Sequence, residues 1–109
     1  MKLWIDDVRP APEGYVWCKS VNEAKNILLA RAFYERVGVP KHQCDCSIEL
    51  LDVDHDAGNY VSDGGDYIRL LDWLEETGRN YPIRIHSQNP VGVANMRRII
   101  QRNNWKEVF

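Results

Sequence analysis

The sequence predicts an α/β domain, a small three-layer sandwich around a parallel five-stranded sheet. Three observations predict it. Short apolar runs alternate with segments of helical periodicity, the pattern of strands joined by helical crossovers. Residues 47–53, "SIELLDV", are nearly continuous in apolar residues, as in a strand covered on both faces. Three apolar runs end in residues that carry chemistry: "LWIDDVR" in Asp6 and Asp7, "LLDVDHDAG" in Asp54, His55 and Asp56, and "PIRIHSQNP" in His86 and Ser87.

The elements follow in order. Residues 2–6 form a first strand, and the Pro-rich "RPAPEG" after it reads as a tight loop. A loop in place of a helix leaves one crossover helix missing. Residues 15–18, rich in aromatic and β-branched side chains, form the second strand. "SVNE" places Ser20 and Glu23 as a capping box for a helix carrying Ala24, Ile27, Leu28 and Ala32 at helical spacing. Gly38 and Pro40 end it. The third strand spans 47–53 and "AGNYVSDGG" is a loop. A second helix spans 66–77 with Ile68, Leu71 and Leu74 inward, closed by Gly78. The fourth strand is 81–86. Asn89 and Pro90 open a third helix, cap and first turn, with Val93, Met96, Ile99 and Ile100 inward. Residues 105–109 form the last strand.

A length of 109 residues suits one domain, residues 1–109. The net charge of -2 gives no support for strong nonspecific nucleic-acid binding, though it leaves room for a local basic patch. No apolar run approaches the roughly 20 residues of a membrane span, and "MKLWIDD" contains no apolar signal core, so no membrane partner and a cytoplasmic location are expected. Three cysteines, Cys18, Cys44 and Cys46, argue against a disulfide framework. "HQCDC" brings His42 close to Cys44 and Cys46, but the spacing is not that of a zinc knuckle, and half-buried thiols leading into a strand are the plainer reading. The four tryptophans are scattered and read as core and rim rather than as a base-stacking platform.

In an open parallel sheet, ligands bind beyond the carboxyl ends of the strands. Strand direction alone therefore puts the three clusters on one edge. Asp6 and Asp7 can each cap a turn, yet adjacent carboxylates repel, and a hard divalent cation, Mg²⁺ or Mn²⁺, relieves that repulsion. Asp54 and Asp56 flank His55 and favour its charged form, which suits a general acid. His86 and Ser87 lead into the third helix, whose N-terminus attracts phosphate, with Asn89 as a neutral donor. Arg9 follows the acid pair and either meets an anionic ligand or pairs with the acids. Asp52 lies within the third strand and is left outside the site.

The blocks "LWIDDVRPAP", "DVDHDAG", "GGDYIRLLDWL" and "IHSQNPVGVANM" resemble those of the cyclic-phosphate processing receiver-like domains, relatives of response-regulator receivers. The resemblance runs from residue 3 to about 102. It implies a receiver-like, Rossmannoid (flavodoxin-like) sheet of order 2-1-3-4-5. It implies that Asp6, Asp7 and Asp54 match the receiver magnesium positions, that Ser87 matches the hydroxyl residue after the fourth strand, and that His55, Asp56 and His86 match the family's added features. Two departures stand out: the first receiver helix is replaced by "RPAPEG", and Lys106 falls earlier than the receiver lysine. Together these readings make His55, His86 and Asp54 the catalytic candidates. Arg9, Ser87 and Asn89 become the substrate-binding candidates, and Asp6, Asp7, Asp54 and Asp56 the metal candidates. The expected function is metal-dependent hydrolysis of a phosphate-containing small molecule or RNA end bearing a cyclic phosphate. The alternatives are a nucleotide-binding module without turnover and a phosphoacceptor signalling domain.

Overall fold

The structure, a computed structural model, describes residues 1–38 and 47–109. Pro40, His42, Cys44 and Cys46 lie outside the described residues. Five strands, β1 (Lys2–Ile5), β2 (Tyr15–Cys18), β3 (Leu50–Val53), β4 (Ile83–Ile85) and β5 (Glu107–Val108), form one sheet in the order β2-β1-β3-β4-β5. Every pairing is parallel. Three helices join them: α1 (Val21–Val37), α2 (Ile68–Glu76) and α3 (Pro90–Arg102). The class, the strand order and the missing crossover helix are as the sequence predicts.

From β2 onward each crossover steps across the sheet in one direction, while β1 to β2 steps the other way. Right-handed crossovers therefore put all three helices on one face. The core agrees: Leu3, Ile5, Cys18, Leu51, Val53 and Ile83 form a single cluster with Val21, Ala24 and Leu28 of α1, Leu70, Leu71 and Leu74 of α2, and Met96, Ile99 and Ile100 of α3. These strand positions share a face by register. The opposite face carries Lys2, Trp4, Tyr15, Trp17, Leu50, Asp52 and Arg84. The helix that would cover it belongs between β1 and β2, where residues 6–14 are a loop. Among the described residues the helices thus form one layer, and the opposite face has no helical layer of its own. Trp4 is nonetheless 9% exposed, packed against Tyr15 and His86 and bonded through Nε1 to the Arg9 carbonyl.

Element ends differ from expectation for local reasons. β3 begins at Leu50 rather than 47: before it, Ser47 and Glu49 bond to Met1, the Ser47 carbonyl accepting the terminal ammonium and the Glu49 amide donating to the Met1 carbonyl, without forming strand. β4 begins at Ile83 rather than 81, since Pro82 has no amide to donate to a ladder. β5 spans two residues rather than 105–109. α2 begins at Ile68 rather than 66, because the Asp66 carboxylate accepts the amide of Ala57 instead of capping the helix. At α1 the Ser20 hydroxyl accepts the Glu23 amide, while the Glu23 carboxylate reaches one residue further back, to the Lys19 amide.

Cys18 is buried in this core and its thiol is pushed up to about 12 by burial and then by the Glu23 charge. The thiolate is the reactive form. Cys18 is expected to stay unmodified by iodoacetamide at pH 8 in the native protein and to react fully in urea. Peptide mass mapping scores it, and rapid native labelling of Cys18 would contradict the packing described.

Candidate functional site at the carboxyl edge of the sheet

Backbone bonds continue past the strand ends and set the site. The amide of Asp6 donates to the Cys18 carbonyl, that of Asp54 to Ile5, and that of His86 to Val53. Asp6, Asp54 and His86 thus become neighbours at the ends of β1, β3 and β4. They share the parity of Trp4, Asp52 and Arg84. One ligand atom from each of the three lies within 4.8 Å of the others, a group able to hold a metal ion.

Asp6 is fully buried. Its Oδ1 accepts the amides of Val8 and Arg9, both at 3.0 Å, which folds the chain back after β1. Its Oδ2 lies 2.9 Å from His86 Nε2. The other ring nitrogen, Nδ1, lies 2.7 Å from Asp52 Oδ1, and Arg84 donates to Asp52 Oδ2 at 3.2 Å. Arg84, Asp52, His86 and Asp6 thus form a continuous row of alternating charge. Burial opposes charge on His86, but Asp52 and Asp6 outweigh it and hold the imidazole above its ordinary range. Burial likewise pushes Asp6 up, and the Arg9 and Val8 amides with His86 more than reverse it, leaving the carboxyl below its ordinary value. Trp4 lies flat on the His86 ring, centroids 3.9 Å apart.

Asp7 and Asp56, expected among the metal ligands, fall outside that three-residue group. The Asp7 carboxylate packs against Gly58, where a Cβ would collide with it. Burial, then the charges of Asp6 and Asp54, raise its pKa above the usual carboxylate value. Asp56 is exposed and its Oδ1 sits 2.9 Å from His55 Nδ1. Asp54 Oδ1 accepts the His55 amide at 2.8 Å.

His55 packs on the first turn of α3. A Cβ on Gly92 would collide with its imidazole. The space beside Gly92 is filled by His55. Asn89 caps α3 by accepting the Gly92 amide on Oδ1 and turns Nδ2 toward His55 Nδ1 and Asp56 Oδ2, both at 3.5 Å. The Ser87 hydroxyl accepts the Asn89 amide. Arg9 reaches over the edge and donates to the His86 carbonyl at 3.1 Å. All the residues expected at the site therefore gather at this edge. The one it lacked is Asp52, an acid inside an apolar strand whose register places it opposite Arg84.

An alanine in place of a helical glycine ordinarily stabilises by about 0.5–1 kcal/mol. Gly92→Ala is expected to depart from this: it should push His55 out of place and bring no such gain. Histidine NMR shifts and urea titration check it. An unmoved His55 signal with a gain of about 0.5–1 kcal/mol would refute the packing role.

A parallel sheet with an acid pair after β1, an acid after β3 and a hydroxyl residue after β4 defines a receiver-like α/β domain. The chain belongs to the cyclic-phosphate processing receiver domain family, whose sequence model matches residues 1–102. No curated protein and no solved structure matches it. No helix among the described residues is long and apolar enough to cross a membrane.

Proposed function

We propose that this domain is a metal-dependent phosphoesterase that hydrolyses a cyclic phosphate on a nucleotide or an RNA end. The observation that carries the reading is the meeting of Asp6, Asp54 and His86 beside His55 at one sheet edge. Two carboxylates suit Mg²⁺ or Mn²⁺, and an imidazole Nε2 whose Nδ1 faces a buried carboxylate is the usual arrangement of a metal-bound histidine. Asp6, Asp54 and His86 would hold the ion, which supplies positive charge to polarise a phosphoryl oxygen.

The chain's own groups divide the remaining work. His55 is steadied at Nδ1 by Asp56, which leaves Nε2 to deliver a proton to the departing oxygen. His86 has carboxylates at both ring nitrogens; with Nδ1 on Asp52, its Nε2 would give up the contact with Asp6 to face the ion, rather than exchange protons with substrate. Of the two histidine candidates, His55 is thus the one left to move a proton: water adds to phosphorus and gives its proton to solvent as His55 protonates the departing oxygen. Arg9, Ser87, Asn89 and the positive end of α3 orient the anion.

The test is turnover of 2′,3′- and 3′,5′-cyclic nucleotides and short RNAs with cyclic ends, in Mg²⁺, Mn²⁺ or chelator. Ring opening is expected that requires metal, stops in chelator and is lost in Asp54→Asn. Silence across the panel, with thermal protection by a nucleotide, would replace hydrolysis with binding alone. A stable mass gain on Asp54 from acetyl phosphate would replace it with a phosphoacceptor.

A further inference from the structure

We propose that the helix-free face of the sheet is a platform for single-stranded RNA, leading the end of the strand to the acid cluster. The inference deepens the proposed function, on which it rests, by making the substrate a strand terminus rather than a free nucleotide.

Topology creates the face. With residues 6–14 a loop, no helix among the described residues lies over Lys2, Trp4, Tyr15, Trp17, Asp52 and Arg84. Direct contacts join these side chains to the site. Lys2 Nζ is 5.5 Å from the centre of the Tyr15 ring. Tyr15 stands edge-on to Trp4 at 5.8 Å, and Trp4 is stacked on His86. Trp17 Nε1 donates to the Asp6 carbonyl, and Lys19 Nζ sits 4.6 Å over its ring. Asp6, Asp54 and His86 share the parity of this face, so the cluster opens toward it and away from the helices.

Charge selects the occupant. Among the described residues Arg84 is spent on the buried Asp52, which leaves Lys2, Arg9 and Lys19 as the cations of this side against Glu13 of the adjoining loop. The acids Asp6 and Asp54 belong to the cluster that the strand end would reach, where the bound ion would offset them. Cations interleaved with part-exposed rings, Tyr15 and Trp17, suit a polyanion whose bases have free faces. In a duplex those faces are spent on each other. On the proposed function the strand end carries the cyclic phosphate, and a 2′,3′-cyclic end needs a ribose 2′-hydroxyl, so RNA is the strand that fits.

The test is fluorescence anisotropy with a labelled single-stranded oligoribonucleotide ending in an ordinary 3′-hydroxyl. The double variant Lys2→Glu/Lys19→Glu, and the milder Lys2→Gln/Lys19→Gln, are compared with the parent, with thermal melting to confirm folding. The parent should bind the strand at least about tenfold tighter than a mononucleotide, with affinity falling as salt rises, and the double reversal should lose about tenfold. The proposal is overturned by strand affinity no better than a mononucleotide's, by equal affinity for duplex RNA, by unchanged affinity in a folded double variant, or by binding to phosphatidylserine vesicles without binding to RNA. The probe carries no cyclic phosphate, so the platform is scored apart from turnover. Strand binding without turnover of any cyclic phosphate would refute the hydrolase and keep the platform. Turnover of cyclic mononucleotides without strand binding would do the reverse.

Discussion

Replacing Asp52 by alanine is expected to lower the unfolding free energy by about 3–5 kcal/mol, the usual cost of stripping one partner from a buried ion pair. Asp52 is fully buried, and the His86 side chain it faces is 7% exposed. The Arg84 arm is 44% exposed and adds little, because water can replace it. The loss therefore comes from His86, whose charge would keep Asp6 but lose its second carboxylate. Domains of this kind are stable by about 5–15 kcal/mol, so much of the margin would go. Urea titration measures it, and a change under about 1 kcal/mol would show that the pair is not the structural tie inferred from its geometry.

The sign of the pH dependence follows from the same contacts. A folded-state pKa raised above the ordinary 6.5 of His86 means that its contribution is complete below about pH 6.5 and fades as pH rises through the folded value. The lowered Asp6 acts at the other end, contributing above its ordinary 3.8 and failing as pH falls through its folded value. In Asp52→Ala the alkaline fade should be smaller, since less of the His86 shift remains.

On the proposed hydrolysis, replacing His55 by alanine is expected to leave the fold intact and to slow turnover by about 10²–10⁴, the span of a lost general acid. His55 lies on a loop after β3, its ring on α3 and its Nδ1 on Asp56, so its removal opens no hole in the core. The slowing should appear in kcat more than in KM, because the proton is delivered in the transition state. A turnover loss confined to KM would make His55 a binding group and move the proton donor elsewhere.

Much of this architecture was legible because it is periodic or directional. Apolar runs separated by helical patterns force parallel strands, and parallel strands force their carboxyl ends to one edge, which is why Asp6, Asp54, His55 and His86 could be brought together on paper. Two things were not legible. Strand ends depend on where the neighbouring ladder begins, and no local signal in 47–49 says that their contacts are made to Met1 rather than within a strand. Asp52 was set aside because an acid within an apolar run carries no label. Its meaning appears only when β3 and β4 are aligned and Arg84 falls opposite it. The aromatic residues had the same difficulty. Trp4 and Trp17 are far apart in sequence and adjacent in register, so a scatter along the chain becomes a cluster across it.

The flat contact of Trp4 with His86 has an optical consequence. An imidazolium lying on an indole accepts electron density from its excited state and darkens it, whereas a neutral or coordinated imidazole does so far less. The indole is shielded from solvent, and Trp17, Trp73 and Trp105 emit beside it, so the signal is the part of the emission that Trp4→Phe removes. The domain thus carries its own lamp beside the carboxyl edge of the sheet, dim while His86 is charged and brighter once its proton is displaced.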